Sequence, residues 1–256
     1  MITLESIGKT FRKGKTEVRA VDGITLAIEP QSIVAMIGPS GCGKSTLLNM
    51  IAGLYAPTSG KVMYNGHRVT APNTNVGYMT QKDNLLPWRT VLDNVVMPLE
   101  LAGWPAKKRR DSARAMLSHV GLDGFEDKYS SELSGGMRKR ACLARMLLYG
   151  PQALLLDEPF AALDAQLRTA MHELLLRLWS ENKQTIVLVT HDLVEAITLA
   201  DRVIAFTRRP ARISFEHAVD LPRPRDVQQV RFTPRFQEIY NTIWDRLRQE
   251  YDEAKL

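Results

Sequence analysis

Residues 32–54 read SIVAMIGPSGCGKSTLLNMIAGL: a continuous apolar run to Ile37, a glycine-rich loop, then Lys44 to Leu54 with Leu47, Leu48 and Ile51 at helical spacing. This is strand, loop and helix in direct succession. The loop, Gly38-Pro39-Ser40-Gly41-Cys42-Gly43-Lys44-Ser45, fits G-x-x-x-x-G-K-[ST] and runs on into Thr46. Glycines let the backbone wrap closely round a phosphate, and the helix start at Lys44 presents unpaired N–H groups. Lys44 adds positive charge, and Ser45 offers a hydroxyl to Mg2+. Each element suits a triphosphate. A functionless glycine-rich turn would match this pattern in about one chain in a hundred of this length, and the flanking strand and helix make that rarer still. Cys42 stands at a variable position and reads as a small filler rather than a redox centre.

Further along, Ala153 to Leu156 is an apolar run that ends in Asp157 and Glu158. A carboxylate at the carboxyl end of a strand in an open parallel sheet sits beside the phosphate crevice, where it can hold Mg2+ directly or through water. That role is read for Asp157. Glu158, one residue on, can orient the attacking water and polarise or deprotonate it. Alone, such a pair is usually a cap; the phosphate loop upstream gives it chemistry. Thr185 to Thr190 is another buried strand, and His191 follows it at the same end of the sheet, where an imidazole can stabilise charge at a γ-phosphate. Leu133-Ser134-Gly135-Gly136-Met137 sets a capping serine before a glycine-rich first turn, a second helix start open to an anion. Without context it is an ordinary capped helix. Beside a first phosphate site it needs a ligand of its own or one shared with another copy, which points to a dimer.

The rest of the chain organises round these motifs. Ile2 to Ile7 and Val18 to Ile28 alternate as antiparallel strands, and Asn65-Gly66 is a hairpin signal. From about 83 to 150 the pattern is helical, at Val91 to Ala102, Lys107 to Val120 and Gly136 to Tyr149. Apolar runs at Ala153 to Leu156, Thr185 to Val189 and Val203 to Phe206, with the helical Ala165 to Trp179, predict a parallel sheet covered by helices. The 256 residues, 45% hydrophobic and 24% charged, describe an ordinary globular protein. The longest apolar runs reach five residues, as at Ile33 to Ile37, far below the roughly 18 a spanning helix requires. MITLESIGKTF lacks the marks of a secretory leader, and two cysteines, Cys42 and Cys142, suggest free thiols; both features predict a cytosolic chain. A net charge of +6 favours anionic partners without choosing among nucleotides, lipid headgroups and nucleic acid.

The motifs together resemble, in order, those of the ATP-binding subunits of ABC transporters, over at least Ile2 to Arg209. Gly38 to Ser45 matches the Walker A loop, Gln81 the Q-loop glutamine, Leu133 to Met137 the signature, and Leu154 to Asp157 with Glu158 the Walker B strand and its catalytic glutamate. Ala162-Leu163-Asp164 resembles the D-loop and His191 the switch histidine. The resemblance implies a P-loop NTPase (RecA-like) α/β core with an N-terminal antiparallel β subdomain and an inserted helical subdomain. On this reading residues 1–230 form the ATPase domain and 231–256 a helical tail. It implies ATP and Mg2+ as cofactors, with catalysis carried by Lys44, Gln81, Glu158 and His191. The metal would be held by Ser45, Gln81 and Asp157. Nucleotide contacts would come from Gly38 to Thr46, Ser134, Gly135, Gly136 and Asp164. Phe11 falls where the family places an aromatic that stacks on adenine; on the sequence alone it serves equally as a core residue. The family pairs two copies head to tail with two ATP molecules between them, each held by one copy's Walker A and the other's signature, and passes the motion to two membrane-spanning permeases. A peripheral position on the cytoplasmic side of the inner membrane follows, with a periplasmic solute-binding protein as indirect partner and no nucleic acid. Three residues depart from the pattern: Met137 and Lys139 stand where glutamine is usual, and Ala161 where serine is frequent.

Leu85-Leu86-Pro87-Trp88 and the segments Arg208 to Ile213 and Leu221 to Arg225 are similar to importers of nitrate, alkanesulfonates, taurine and related small solutes. Trp88 would then line the groove that receives the permease; hydrophobic core is the other reading. Lys107-Lys108-Arg109-Arg110 is a solvated helix face or a contact to anionic lipid. Leu221 to Asp226 separates the core from a last helix. There Phe236, Ile239, Tyr240, Ile243, Trp244, Leu247 and Tyr251 form one apolar stripe, to dock on its own domain or to meet a dimer or permease partner. Two rivals stand beside the importer ATPase. A soluble ABC ATPase acting on nucleic acid or the ribosome would suit the charge but typically has fused units, a coiled coil or zinc cysteines. A P-loop kinase leaves Leu133 to Met137 unexplained.

Overall fold

Alternating apolar residues make the opening chain a half-buried ladder: Ile24, Leu26 and Ile28 of β2 (Thr16–Ile28) point inward, and β2 pairs antiparallel with β1 (Ile2–Lys13) in the register Ile2↔Ile28 and Leu4↔Leu26. The computed structural model describes residues 1–14, 16–161 and 163–253, divided into Met1–Asn73 with Leu176–Leu256 and Thr74–Leu175. In the first unit β3 (Ile33–Ile37) is buried throughout and feeds the loop into α1 (Lys44–Ile51), whose Leu47, Leu48 and Ile51 are buried as their spacing predicts. β4 (Ser59–Tyr64) joins the other edge of β1, and β5 (His67–Arg68) returns through Asn65 and Gly66 at φ 47° and 82°. Both central residues of that two-residue turn are left-handed, the geometry for which Asn-Gly is suited.

The second unit holds β6 (Val76–Met79) parallel to β7 (Ala153–Asp157), with α2 (Val91–Leu101), α3 (Ala106–His119), α4 (Gly135–Leu147) and the start of α5 (Ala165–Asn182). Thr90 caps α2 by accepting from Asp93 N at 3.1 Å. Buried Asn94 then pins the preceding loop: its Oδ1 accepts from Leu86 N, and its Nδ2 donates to the carbonyls of Leu86, Arg89 and Thr90. Trp88 rides on that fixed loop at 72% exposure, which excludes the core reading of this residue. In the basic run, Arg110 pairs with Asp93 and Lys108 lies over the Trp104 ring.

The chain re-enters the first unit at β8 (Thr185–Val189), then runs through α6 (Leu193–Leu199), β9 (Arg202–Phe206) and β10 (Ile213–Ala218). β3 lies between β8 and β9, parallel to both, and β10 closes the edge antiparallel to β9. The last helix, α7 (Pro234–Glu253), buries Phe236, Ile239 and Ile243, so its stripe is docked on its own unit; Trp244 remains 52% exposed, and the Tyr251 side chain lies outside those described.

The Pro/Arg-rich segment is a fastening rather than a spacer. Arg223 donates to Asp201 and the Leu199 carbonyl and stacks 4.1 Å from the Trp179 ring. Arg225, buried, reaches the carbonyls of Ile197, Thr198, Ala200, Val219 and Leu221. Burial pushes its guanidinium down to about 10, still charged at neutral pH. Replacing it strands several carbonyls, so Arg225→Met should lower the unfolding free energy by about 3 kcal/mol, read by urea denaturation.

Candidate functional site

α1 begins at Gly43, at φ 132°, with no side-chain cap and no acidic residue in its first turn. A helix start of this kind turns its first amides and the positive end of its dipole toward an anion lying before it. A Cβ on Gly43 would lie 2.7 Å from the Ala20 carbonyl oxygen, so the position demands glycine on both conformational and steric grounds. The Lys44 ammonium is buried and turned into the loop, donating to the carbonyls of Gly38 at 2.8 Å and Pro39 at 2.9 Å, with Cys42 Sγ at 3.7 Å. Ser45, next along, is exposed. Gly38, Pro39 and Ser40 share a cavity of about 330 Å3 with His191, and α7 supplies Trp244 and Arg248 to the same wall. His191 and the phosphate loop thus come together, as their strand positions predict.

Arg209 belongs to none of the sequence motifs that mark the site. It donates through Nε and Nη2 to the Gly41 carbonyl at 3.1 and 2.7 Å, bracing the loop from 168 residues away. The same strap bonds Ala211 N to Ala20 O and Asp22 N to Ala211 O, while Arg212 and Arg19 both clasp Asp22. Phe11 is 38% exposed, edge-on to Tyr55 at 5.6 Å with Lys9 Nζ 5.2 Å from its ring. The core reading of Phe11 therefore fails, and an aromatic pair stands on the surface of the antiparallel sheet.

In the second unit β7 carries Asp157, 7% exposed, at its carboxyl end, and Glu158 follows in the left-handed region at φ 47°. A glutamate held there is strained, and such strain is characteristic of functional positions. Gln81 Nε2 donates to Glu158 Oε2 at 3.1 Å, which brings together two residues 77 positions apart. Ser134 is the N-cap of α4: its Oγ accepts from Met137 N at 3.3 Å, and no acidic residue occupies the first turn. A Cβ on Gly136 would meet Leu167 Cδ2 at 1.9 Å, so α4 approaches α5 through a glycine. Asp164 caps α5, accepting from Leu167 N at 2.9 Å; Ala162 lies outside the described residues. Among the described residues no cluster of three His, Cys, Asp or Glu could hold a metal. Ser45, Gln81 and Asp157 offer instead hydroxyl, amide and carboxylate oxygens, the hard donors that suit Mg2+.

The family model of ABC transporters matches residues 21–161. An ABC transporter ATP-binding protein of Methanocaldococcus jannaschii is 44% identical over 96% of this chain and 92% of its own. The taurine import ATP-binding protein TauB of Roseobacter denitrificans is 41% identical over 89% and 88%, and the aliphatic sulfonates import ATP-binding protein SsuB of Bacillus cereus is 40% identical over 94% of each chain. Among solved structures, a dimeric post-hydrolysis state of the ATP-binding cassette MJ0796 bound to ADP and Pi superposes with a TM-score of 0.79 at 30% identity, covering 87% of this chain and all of that one. The chain belongs to the ABC transporter family. Within it, it is an ATP-binding subunit with ATPase activity. Among the described residues no helix is long and apolar enough to cross a membrane.

Arg209 anchors a loop carbonyl. Arg209→Ala should therefore raise the KM for ATP about threefold, as expected for the loss of one exposed charged donor, and leave kcat within about twofold. Steady-state ATPase kinetics measure both.

Proposed function

We propose that this subunit powers an importer of a small solute, with taurine, aliphatic sulfonates and nitrate as the nearest candidates, by working as a homodimer on two permease subunits at the cytoplasmic face of the membrane. A periplasmic solute-binding protein would deliver the cargo. The observation that carries the dimer is the start of α4, a capped, glycine-rich helix N-terminus with no acidic residue in its first turn. One such start, at α1, suffices for the phosphates of one nucleotide. A second fits the outer face of a nucleotide held by another copy, and the solved relative is dimeric. The names of the relatives at 40 and 41% identity support the cargo class.

In this reading the amides of Gly38 to Thr46 and the Lys44 ammonium bind the phosphates. Ser45, Gln81 and Asp157 hold Mg2+, which when bound neutralises phosphate charge. Glu158, fixed by Gln81, aligns a water and accepts its proton as the water oxygen bonds to the γ-phosphorus and the bond to the β-phosphate oxygen breaks, releasing ADP. His191 donates to the γ-phosphate oxygens as charge develops. Phe11 stacks on the adenine, and Ser134, Gly135, Gly136 and Asp164 complete the contacts. Trp88, exposed on its pinned loop, meets the permease. Glu158→Gln keeps the shape and loses the base. It should bind ATP with wild-type affinity and turn over at least about a hundredfold more slowly. Near-normal phosphate release would remove Glu158 from the mechanism. Deletion of the gene should abolish uptake of a labelled sulfonate or nitrate, and unchanged uptake of every candidate solute would defeat the importer assignment.

A further inference from the structure

The segment after β6 has no regular secondary structure, yet it carries Gln81. A loop without a ladder must take its geometry from side chains. One face of α4 supplies them. Lys139, 4% exposed, donates from Nζ to the Gln81 carbonyl at 2.6 Å and pairs with Asp83 Oδ1 at 3.1 Å. Arg138 Nε takes the other Asp83 oxygen at 3.0 Å while its Nη1 holds the Leu133 carbonyl at 2.6 Å. Cys142 Sγ donates to the Asp83 carbonyl, and Arg145 reaches the carbonyls of Asn84 and Asp83. Burial raises the Cys142 thiol to about 11, which keeps it a protonated donor. These four residues recur at helical spacing, so a rigid helix grips residues 81, 83 and 84 at several points. The N-cap of that helix is Ser134.

We infer that Lys139, anchored on Asp83, is a positioning residue for hydrolysis: it fixes the main chain of Gln81 so that the Gln81 amide meets Glu158, and fastens the Ser134 helix to the same segment. The inference rests on the proposed roles of Gln81 and Glu158. Lysine suits the task because its stem spans the distance from α4 and its ammonium serves a carbonyl and a carboxylate at once. Asp83 offers one negative charge to the two positive charges of Arg138 and Lys139, and their further N–H donors go to the Leu133 and Gln81 carbonyls. Displacement of the loop by a partner would then move Ser134 and the grip on Glu158 in one step, because α4 connects them.

The test is ATPase kinetics of the purified chain. Lys139→Met keeps the stem and loses both contacts; kcat should fall about tenfold or more, as small misplacements of catalytic groups do, with the KM for ATP within about twofold. Asp83→Asn, which keeps an acceptor and leaves the packing intact, should show the same split with a smaller loss, and it decides the matter if Lys139→Met does not fold. On a Gln81→Ala background, Lys139→Met should cost little more, because both act through one amide. Wild-type kcat in Asp83→Asn, or losses that multiply in the double variant, would overturn the inference while leaving Gln81 in place. Wild-type kcat in Gln81→Ala alone would instead defeat the reading of Gln81 on which it stands.

Discussion

In the proposed function the charge of a triphosphate is met by helix starts, whose first amides have no carbonyl one turn back to bond. α1 has no side-chain cap and no first-turn acid, and the same lack of acid marks α4. Such starts attract anions because the N–H groups and the helix dipole act in the same direction. The constraint propagates backward into sequence. Gly43 must be glycine, because a side chain would strike the Ala20 carbonyl, and Gly136 leaves the room that the Leu167 side chain fills against α4. Lys44 adds a buried ammonium, held in the loop by the Gly38 and Pro39 carbonyls.

Much of the remaining structure serves to keep those starts in place. Arg209 braces Gly41, the strap through Ala211 ties β2 beside it, and Arg225 fastens the turn after α6 by its carbonyls. In the second unit, the face of α4 beyond Ser134 grips the loop that holds Gln81, and Gln81 in turn engages the strained Glu158. Arginine and lysine side chains do this work by donating to main-chain carbonyls, which accounts for some of the excess positive charge without an external anionic partner.

The parts legible in the sequence are those whose cause is local. The run Ile33 to Ile37, the glycines after it and the spacing of Leu47, Leu48 and Ile51 lie within one short stretch, and their strand, loop and helix form as read. The Asn65-Gly66 turn needs only its own two dihedrals. Long-range contacts escaped. Lys139 reads as a departure on a basic helix, and its burial follows from a carbonyl 58 residues away. Arg225 looks like part of a spacer, and its acceptors lie on α6 and beyond. The strand read at Ile2 to Ile7 stops short of Phe11, which β1 carries, and nothing local tells whether Phe11 is covered; the same holds for Trp88, exposed on the loop that Asn94 pins.

The claim that one copy's Ser134 helix covers the nucleotide in the other's loop is open to a direct measurement, the mass of the Glu158→Gln protein by sedimentation with and without Mg-ATP. The account predicts a single copy without nucleotide, two copies with it, and a return to one copy when Ser134→Arg is added while ATP remains bound. A single copy throughout, or a pair that survives Ser134→Arg, would contradict it.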